Sequence, residues 1–182
     1  GGDVSLNGNF VTLGSQTYNA NVSLGGDTEL AGTTLSLASG IDGAGHNLDL
    51  GFTEQTTING NFTNIKDLKS SFSVALEGGI TTSGYQEYNA SAVLVGNTTL
   101  QGTDLTFSNG LDGTDKNLDL NFSNTTFLND NFANIADLTS EGNVSLSGTI
   151  TTSGSQDYKA AANLSDNTTL EGDSLILARG VD

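Results

Sequence analysis

The chain has no proline, cysteine, methionine or tryptophan, and only five lysines and arginines among its 182 residues. Without cysteine there is no disulfide framework and no thiolate chemistry, so neither redox compartment is favoured. No apolar run is long enough to span a membrane, and no signal-peptide pattern occurs. The missing Met predicts an internal piece of a longer chain. Apolar residues make up 35% of the sequence, too few for a thick two-layer core but enough for a thin core repeated along an axis. Against the five basic residues stand 21 acidic ones, a formal charge of −16. Such a field repels phosphate backbones, which argues against nucleic acid as a partner, and it keeps a β-rich protein soluble. The acids are scattered singly, unlike those of a disordered acidic tail.

What the chain does have is Gly, Asn, Ser and Thr arranged in a repeat. GSQTY at 14–18 returns as GYQEY at 84–88 and as GSQDY at 154–158. NLDL at 47–50 returns at 117–120, and NGNFTNIKDL at 59–68 becomes NDNFANIADL at 129–138. The organisation is one repeat at 1–70, a second at 71–140 and a partial third at 141–182, with no linker between them.

A finer beat runs inside the unit. The pattern [Val/Thr]-x-[Leu/Ile]-x-[Gly/Asp] occurs as VSLNG (4–8), TELAG (28–32), TTING (56–60) and VALEG (74–78). It goes on as TTLQG (98–102), TFLND (126–130), VSLSG (144–148) and TTLEG (168–172). Three unequal intervals, medium, long and short, follow one another and then recur in the same order. A β-branched residue followed two positions later by Leu or Ile is a half-buried strand, and Gly permits a bend with positive φ. A second short alternation follows, as at Leu35 and Leu37 or Leu105 and Phe107.

Strand, bend and strand every two dozen positions predict an all-β parallel β-solenoid without helix. The count is about eight coils, three per long repeat, in a rod roughly 40 Å long. IDGAGHN (41–47) and LDGTDKN (111–117) carry the turn residues of an excursion from the longest coil. The rival fold is a string of small β-sandwiches, for which a unit of this length is short.

T-x-G-x-Q-x-Y at Thr82, Gly84, Gln86 and Tyr88, and at Thr152, Gly154, Gln156 and Tyr158, together with TTLQGTDLTF and LDGTDKNLDL, resembles bacterial filamentous-haemagglutinin-type adhesin repeats. The first copy joins through Thr12, Gly14, Gln16 and Tyr18, so the similarity covers nearly the whole chain. These repeats occur in very large exoproteins, many exported by two-partner secretion. The resemblance implies a right-handed parallel β-helix, an extracellular place at the bacterial cell surface, and a stalk or adhesive role. The Asn-Pro-rich secretion domain of that family has no counterpart here, which makes this stretch shaft.

Tyr18, Tyr88 and Tyr158 are the candidate surface-binding residues. Three coils apart in register, they would form an aromatic row about 15 Å in step, suited to sugars or apolar surfaces. The plain alternative is that each ring plugs a corner, with Gln16, Gln86 and Gln156 belonging to the same corner. Asp42, Asp112 and Asp182, with Asp115 and Asp119 near the second, are the calcium candidates, since calcium takes clustered oxygen ligands. The calcium-binding nonapeptide GGxGxDxUx is absent, however, and Asp also favours turns by bonding its own backbone.

Threonine pairs such as 56–57, 98–99 and 168–169 raise an ice-binding reading, but they vary in position along the pentads. Nine Asn-x-Ser/Thr sequons are acceptors wherever glycosylation machinery exists, though composition alone accounts for most of them.

No catalytic, cofactor-binding or metal-ligating set stands out. His46 is the sole histidine and becomes Lys116 in the next copy. Asp49/Asp119 and Asp67/Asp137 recur with the repeat, whereas a polysaccharide-cleaving site in a solenoid is normally single. The expectation is therefore a non-enzymatic shaft segment acting as a stiff spacer in cell adhesion or biofilm, stacked on further coils of the same long chain and open to self-association. The other reading is a binding module whose solenoid face recognises a glycan, a protein of a host or neighbouring cell, or an abiotic surface, with or without calcium.

Overall fold

The structure, a computed structural model, describes residues 3–59 and 62–181. Among these residues the apolar alternations form strands, every pairing is parallel, and there is no helix. The fold is a β-solenoid of about 9 turns, roughly 43 Å long at about 4.8 Å per turn.

Each turn has three faces. Val4–Val11 bends at Gly8 (φ 94°), so residues 4–6 lie on the first face and the stretch around Phe10 on the second. Gln16–Tyr18 makes the third. One turn later Val22 pairs with Val4, Leu30 with Phe10 and Leu35 with Gln16. The first face continues from Val22 to Ile41 and from Ile41 to Phe62. These turns are shorter than the pentad spacing predicts, because pentads do not mark one face. VSLNG begins on the first face, TELAG lies on the second, and Thr56–Ile58 of TTING on the third.

The long repeat is consequently not a whole number of turns. It holds eleven strand segments, and eleven is not a multiple of three. Three turns carry Val4 to Phe62, and Val74, its repeat equivalent, lies two segments further on. There it sits on the third face, in register with Thr56 and Ala92. Val144, the next equivalent, pairs with Thr126 and Ala162 on the second face. One repeat therefore spans three and two-thirds turns, and equivalent residues step around the axis by one face per copy.

The core is a single column. Inward side chains such as Leu24, Leu50, Leu76, Leu100 and Leu146 are buried, and the aromatic rings stack along the same axis. Tyr88 lies 4.9 Å from Phe107 between centroids, and Phe107 meets Phe132 edge-on at 5.5 Å. Such pairs add about 0.5–1.5 kcal/mol beyond their area. Room for the phenols comes from small neighbours: Ser70 pairs in register with Tyr88, and Ser140 with Tyr158. The pentad glycine has two uses. Gly8, Gly78 and Gly148 have positive φ, as the bend predicts. Gly102 is needed for closeness instead, since a Cβ there would stand 2.6 Å from the Gly84 carbonyl oxygen of the turn beneath.

Candidate functional site

The three candidate tyrosines do not form a surface row. Gln86 and Tyr88 are two apart on one short strand, so both side chains point to the same side, and that side is the interior. Tyr88 and Tyr158 are fully buried and Tyr18 is half-buried. They also occupy different faces: Tyr18 pairs with Leu37 on the third, Tyr88 with Ser70 on the second and Tyr158 with Ser140 on the first. The expectation of an in-register row is corrected on both counts, by burial and by the two-thirds turn in each repeat.

Each tyrosine instead completes a corner staple. Tyr88 donates its hydroxyl to Gln86 Oε1 at 3.0 Å. The Gln86 amide donates to the Ile80 carbonyl at 3.1 Å and to the Gln101 carbonyl, one turn on, at 2.9 Å. Gln156 makes the same bonds to Ile150 (3.0 Å), Glu171 (2.7 Å) and Tyr158 (3.0 Å). Gln16 does so with Phe10, Ala31 and Tyr18. Burial pushes the Tyr88 and Tyr158 phenols far above the usual tyrosine range, so both stay neutral donors.

Asp42 and Asp112 hold widened corners. Asp42 Oδ1 accepts from the Ala44 backbone N–H at 3.1 Å and from Asn64 Nδ2 at 3.0 Å. Both bonds hold its carboxyl below the ordinary range, the Asn64 bond most. Asp112 repeats this with Thr114 N–H and Asn134 Nδ2, each at 3.1 Å. The residues they hold are left-handed: Ala44 (φ 49°), Asn64 (φ 52°), Thr114 (φ 46°) and Asn134 (φ 54°). Asp182 lies outside the described residues. Among the described residues, no three His, Cys, Asp or Glu side chains converge as a metal would require. The turn excursion read from IDGAGHN and LDGTDKN is thus a widened corner, and the turns that hold it, Ile41 to Phe62 and Leu111 to Phe132, run 21 residues against 18 and 19 for the two turns before each.

No family model, curated protein or solved structure matches the chain. Its own geometry carries the functional reading.

Beside each Asp corner runs an open groove. The first, about 520 Å³, extends from Asp3 across Asn21, Ser23, Ser39 and Asp42 to Thr63. The second, about 360 Å³, is lined by Ser91, Val93, Asn109, Asp112 and Ala133, the same positions in the next repeat. A third, about 540 Å³, adjoins the other side of Asp42 and reaches Thr81 and Thr82. Sequence reasoning missed these grooves because their walls come from successive turns. The only signal available was that Asp42 and Asp112 share a repeat position.

The remaining candidates take ordinary places. In the threonine pairs at 56–57, 98–99 and 125–126 one member, Thr56, Thr98 or Thr126, is buried. Thr98 caps its loop by donating to the Gly96 carbonyl at 3.0 Å. Asp67 and Asp137 accept from backbone N–H groups of the following turn, at Tyr85 (3.0 Å) and Ser155 (2.7 Å). Asp49 lies on the second face in register with Glu29 and Lys69. His46 Nδ1 stands 3.8 Å from Asp27, both exposed to solvent.

Proposed function

We propose that this chain is a length of stiff shaft in a large secreted bacterial surface protein or fibre, a spacer serving cell adhesion or biofilm. The observation that carries this reading is the parallel ladder, continuous on the second face from Phe10 to Leu164, over one core stapled at the Gln–Tyr corner of each repeat. Bending such a rod breaks backbone hydrogen bonds on one side and opens core contacts on the other. The motif resemblance to filamentous-haemagglutinin-type repeats supports the extracellular, cell-surface setting. Inward-facing Phe10 and Leu175 are 36% and 46% exposed, apolar edges that further coils of the same chain, or a second rod end to end, would cover.

Tandem arrays of one, two and four further repeat units test the shaft. Each unit should lengthen the rod by about 18 Å in solution scattering, from the turn spacing. Lengths that fail to scale, or compact arrays, would sink the reading. Antibody labelling of intact cells tests the location; signal only after lysis would count against it. A binding role on the solenoid face is the second reading, and the recurring Asp grooves favour it. A screen against glycans and matrix proteins, with calcium and with chelator, tests that role.

A further inference from the structure

The grooves beside Asp42 and Asp112 are one feature shown twice, on the first and third faces of the rod. We propose that each binds an extended, hydroxyl-rich polymer carrying free amino groups, a polysaccharide of amino sugars, laid along the rod axis.

The carboxylate supplies the charge recognition. Oδ1 of Asp42 is held by Ala44 and Asn64, and Oδ1 of Asp112 by Thr114 and Asn134, while no donor among the described residues bonds either Oδ2. An ammonium group meets an acceptor already fixed in place, so a charge-assisted bond forms without reordering the loop. The neighbouring wall is largely polar in the first groove, with Asn21, Ser23 and Ser39 and a second carboxylate, Asp3, at its end. In the other, Ser91 and Asn109 keep the polar positions while Val93 and Ala133 stand where Ser23 and Thr63 do. Amides and hydroxyls of this kind pair with sugar hydroxyls in either direction.

The first groove crosses three ladder steps from Asp3 to Thr63, about 14 Å. That is a trough for a chain more than a pocket for a small molecule. The −16 field draws in a cationic polymer and turns away an anionic one. Because a repeat turns the surface by two-thirds of a revolution, the two grooves open in different directions. One rod then holds two polymer strands and links them.

Calorimetry with a glucosamine hexamer tests this on the chain as it stands. Expected are two saturable sites that weaken as salt rises. Asp42→Asn and Asp112→Asn should each weaken one site by roughly tenfold, and the double variant both. An Asn oxygen accepts the same two loop bonds more weakly than a carboxylate, so the variants should stay folded with a slightly lower melting temperature at neutral pH, and binding is compared well below the melt. Asp119→Asn makes the same charge change away from both grooves and should leave binding intact. Four results would overturn the proposal: no binding, equal binding of the fully N-acetylated hexamer, equal binding of an oligolysine of matched charge, or equal loss with Asp119→Asn. None of these touches the shaft reading, which the rod-length measurement tests separately.

Discussion

Tyr88 donates its hydroxyl to Gln86 Oε1 at 3.0 Å from wholly within the solenoid, its ring stacked on Phe107 of the next turn. Gln86 in turn holds carbonyls of two successive turns, so one buried amide fixes both the corner and the stacking. Gln86→Leu would leave the Tyr88 phenol without its acceptor and strip the amide donor from two carbonyls, of which Gln101 keeps the Thr82 backbone N–H at 2.9 Å. It should cost about 2–4 kcal/mol in urea denaturation, against about 1–2 kcal/mol for Tyr88→Phe. The double variant should lose less than the sum, because both changes remove the same bond. A Gln86→Leu protein as stable as the parent would show that the corner is held otherwise.

Ser70 pairs with Tyr88 in the ladder and keeps space for the phenol, its own hydroxyl donating to the Phe72 carbonyl at 3.0 Å. Ser70→Leu forces a large side chain against the ring and should destabilise by about 1–3 kcal/mol. Ser140→Leu, beside Tyr158, should behave alike. Thermal melts check both; a stabilised variant would mean that the column has unfilled space there.

Gly113 lies so close to the neighbouring turn that a Cβ would stand 2.5 Å from Ile135 Cα. Gly113→Ala should cost about 1–3 kcal/mol, whereas Gly79→Ala, with no atom within 4 Å of the added carbon, should stay within about 0.5 kcal/mol. Equal effects in chemical denaturation would refute the close-packing explanation.

Asp49 and Asp137 should respond to pH in opposite ways. Partial burial raises the Asp49 carboxyl above its ordinary range; Lys69 works against the rise, while Glu29, Glu87 and Asp27 add to it. A carboxyl raised in the folded state stabilises the fold while protonated, and loses that contribution as pH rises through its folded pKa. Asp49→Asn should therefore raise the melting temperature at neutral pH, with the gain fading in acid. Asp137 is lowered by the Ser155 backbone N–H and then by its hydroxyl. Its contribution is present above the unfolded pKa and lost as pH falls through the folded one. Asp137→Asn should lower the melting temperature at neutral pH and matter little in strong acid. Melts across the acid range decide, and parallel profiles would contradict both assignments.

Much of this architecture is legible in the residues. The pentads announce strands, the Asp-Gly pairs announce turns, and the lack of a helical period announces an all-β chain. The turn length is not legible. A long repeat with three obvious beats invites a division into three coils, but the pentads fall on different faces, and only hydrogen-bond register shows which strand lies over which. The tyrosine row fails for that reason. A better cue is present in Gln-x-Tyr: spacing of two puts the amide beside the phenol, and such a pair satisfies itself in a core. The grooves have no local cue, since Asn21, Asp42 and Thr63 become neighbours only when three turns are stacked.

The class of structure follows from the amino-acid order alone, because period-2 alternation with bend residues suits strands and little else. So does the rule that whatever occurs in one unit recurs in the next. Where each recurrence points is set by the winding. Eleven strand segments on three faces leave two-thirds of a turn over, so a strictly repeating sequence yields a surface that rotates. That remainder sets the tyrosines on three faces, and it turns the paired Asp grooves to different sides of one rod.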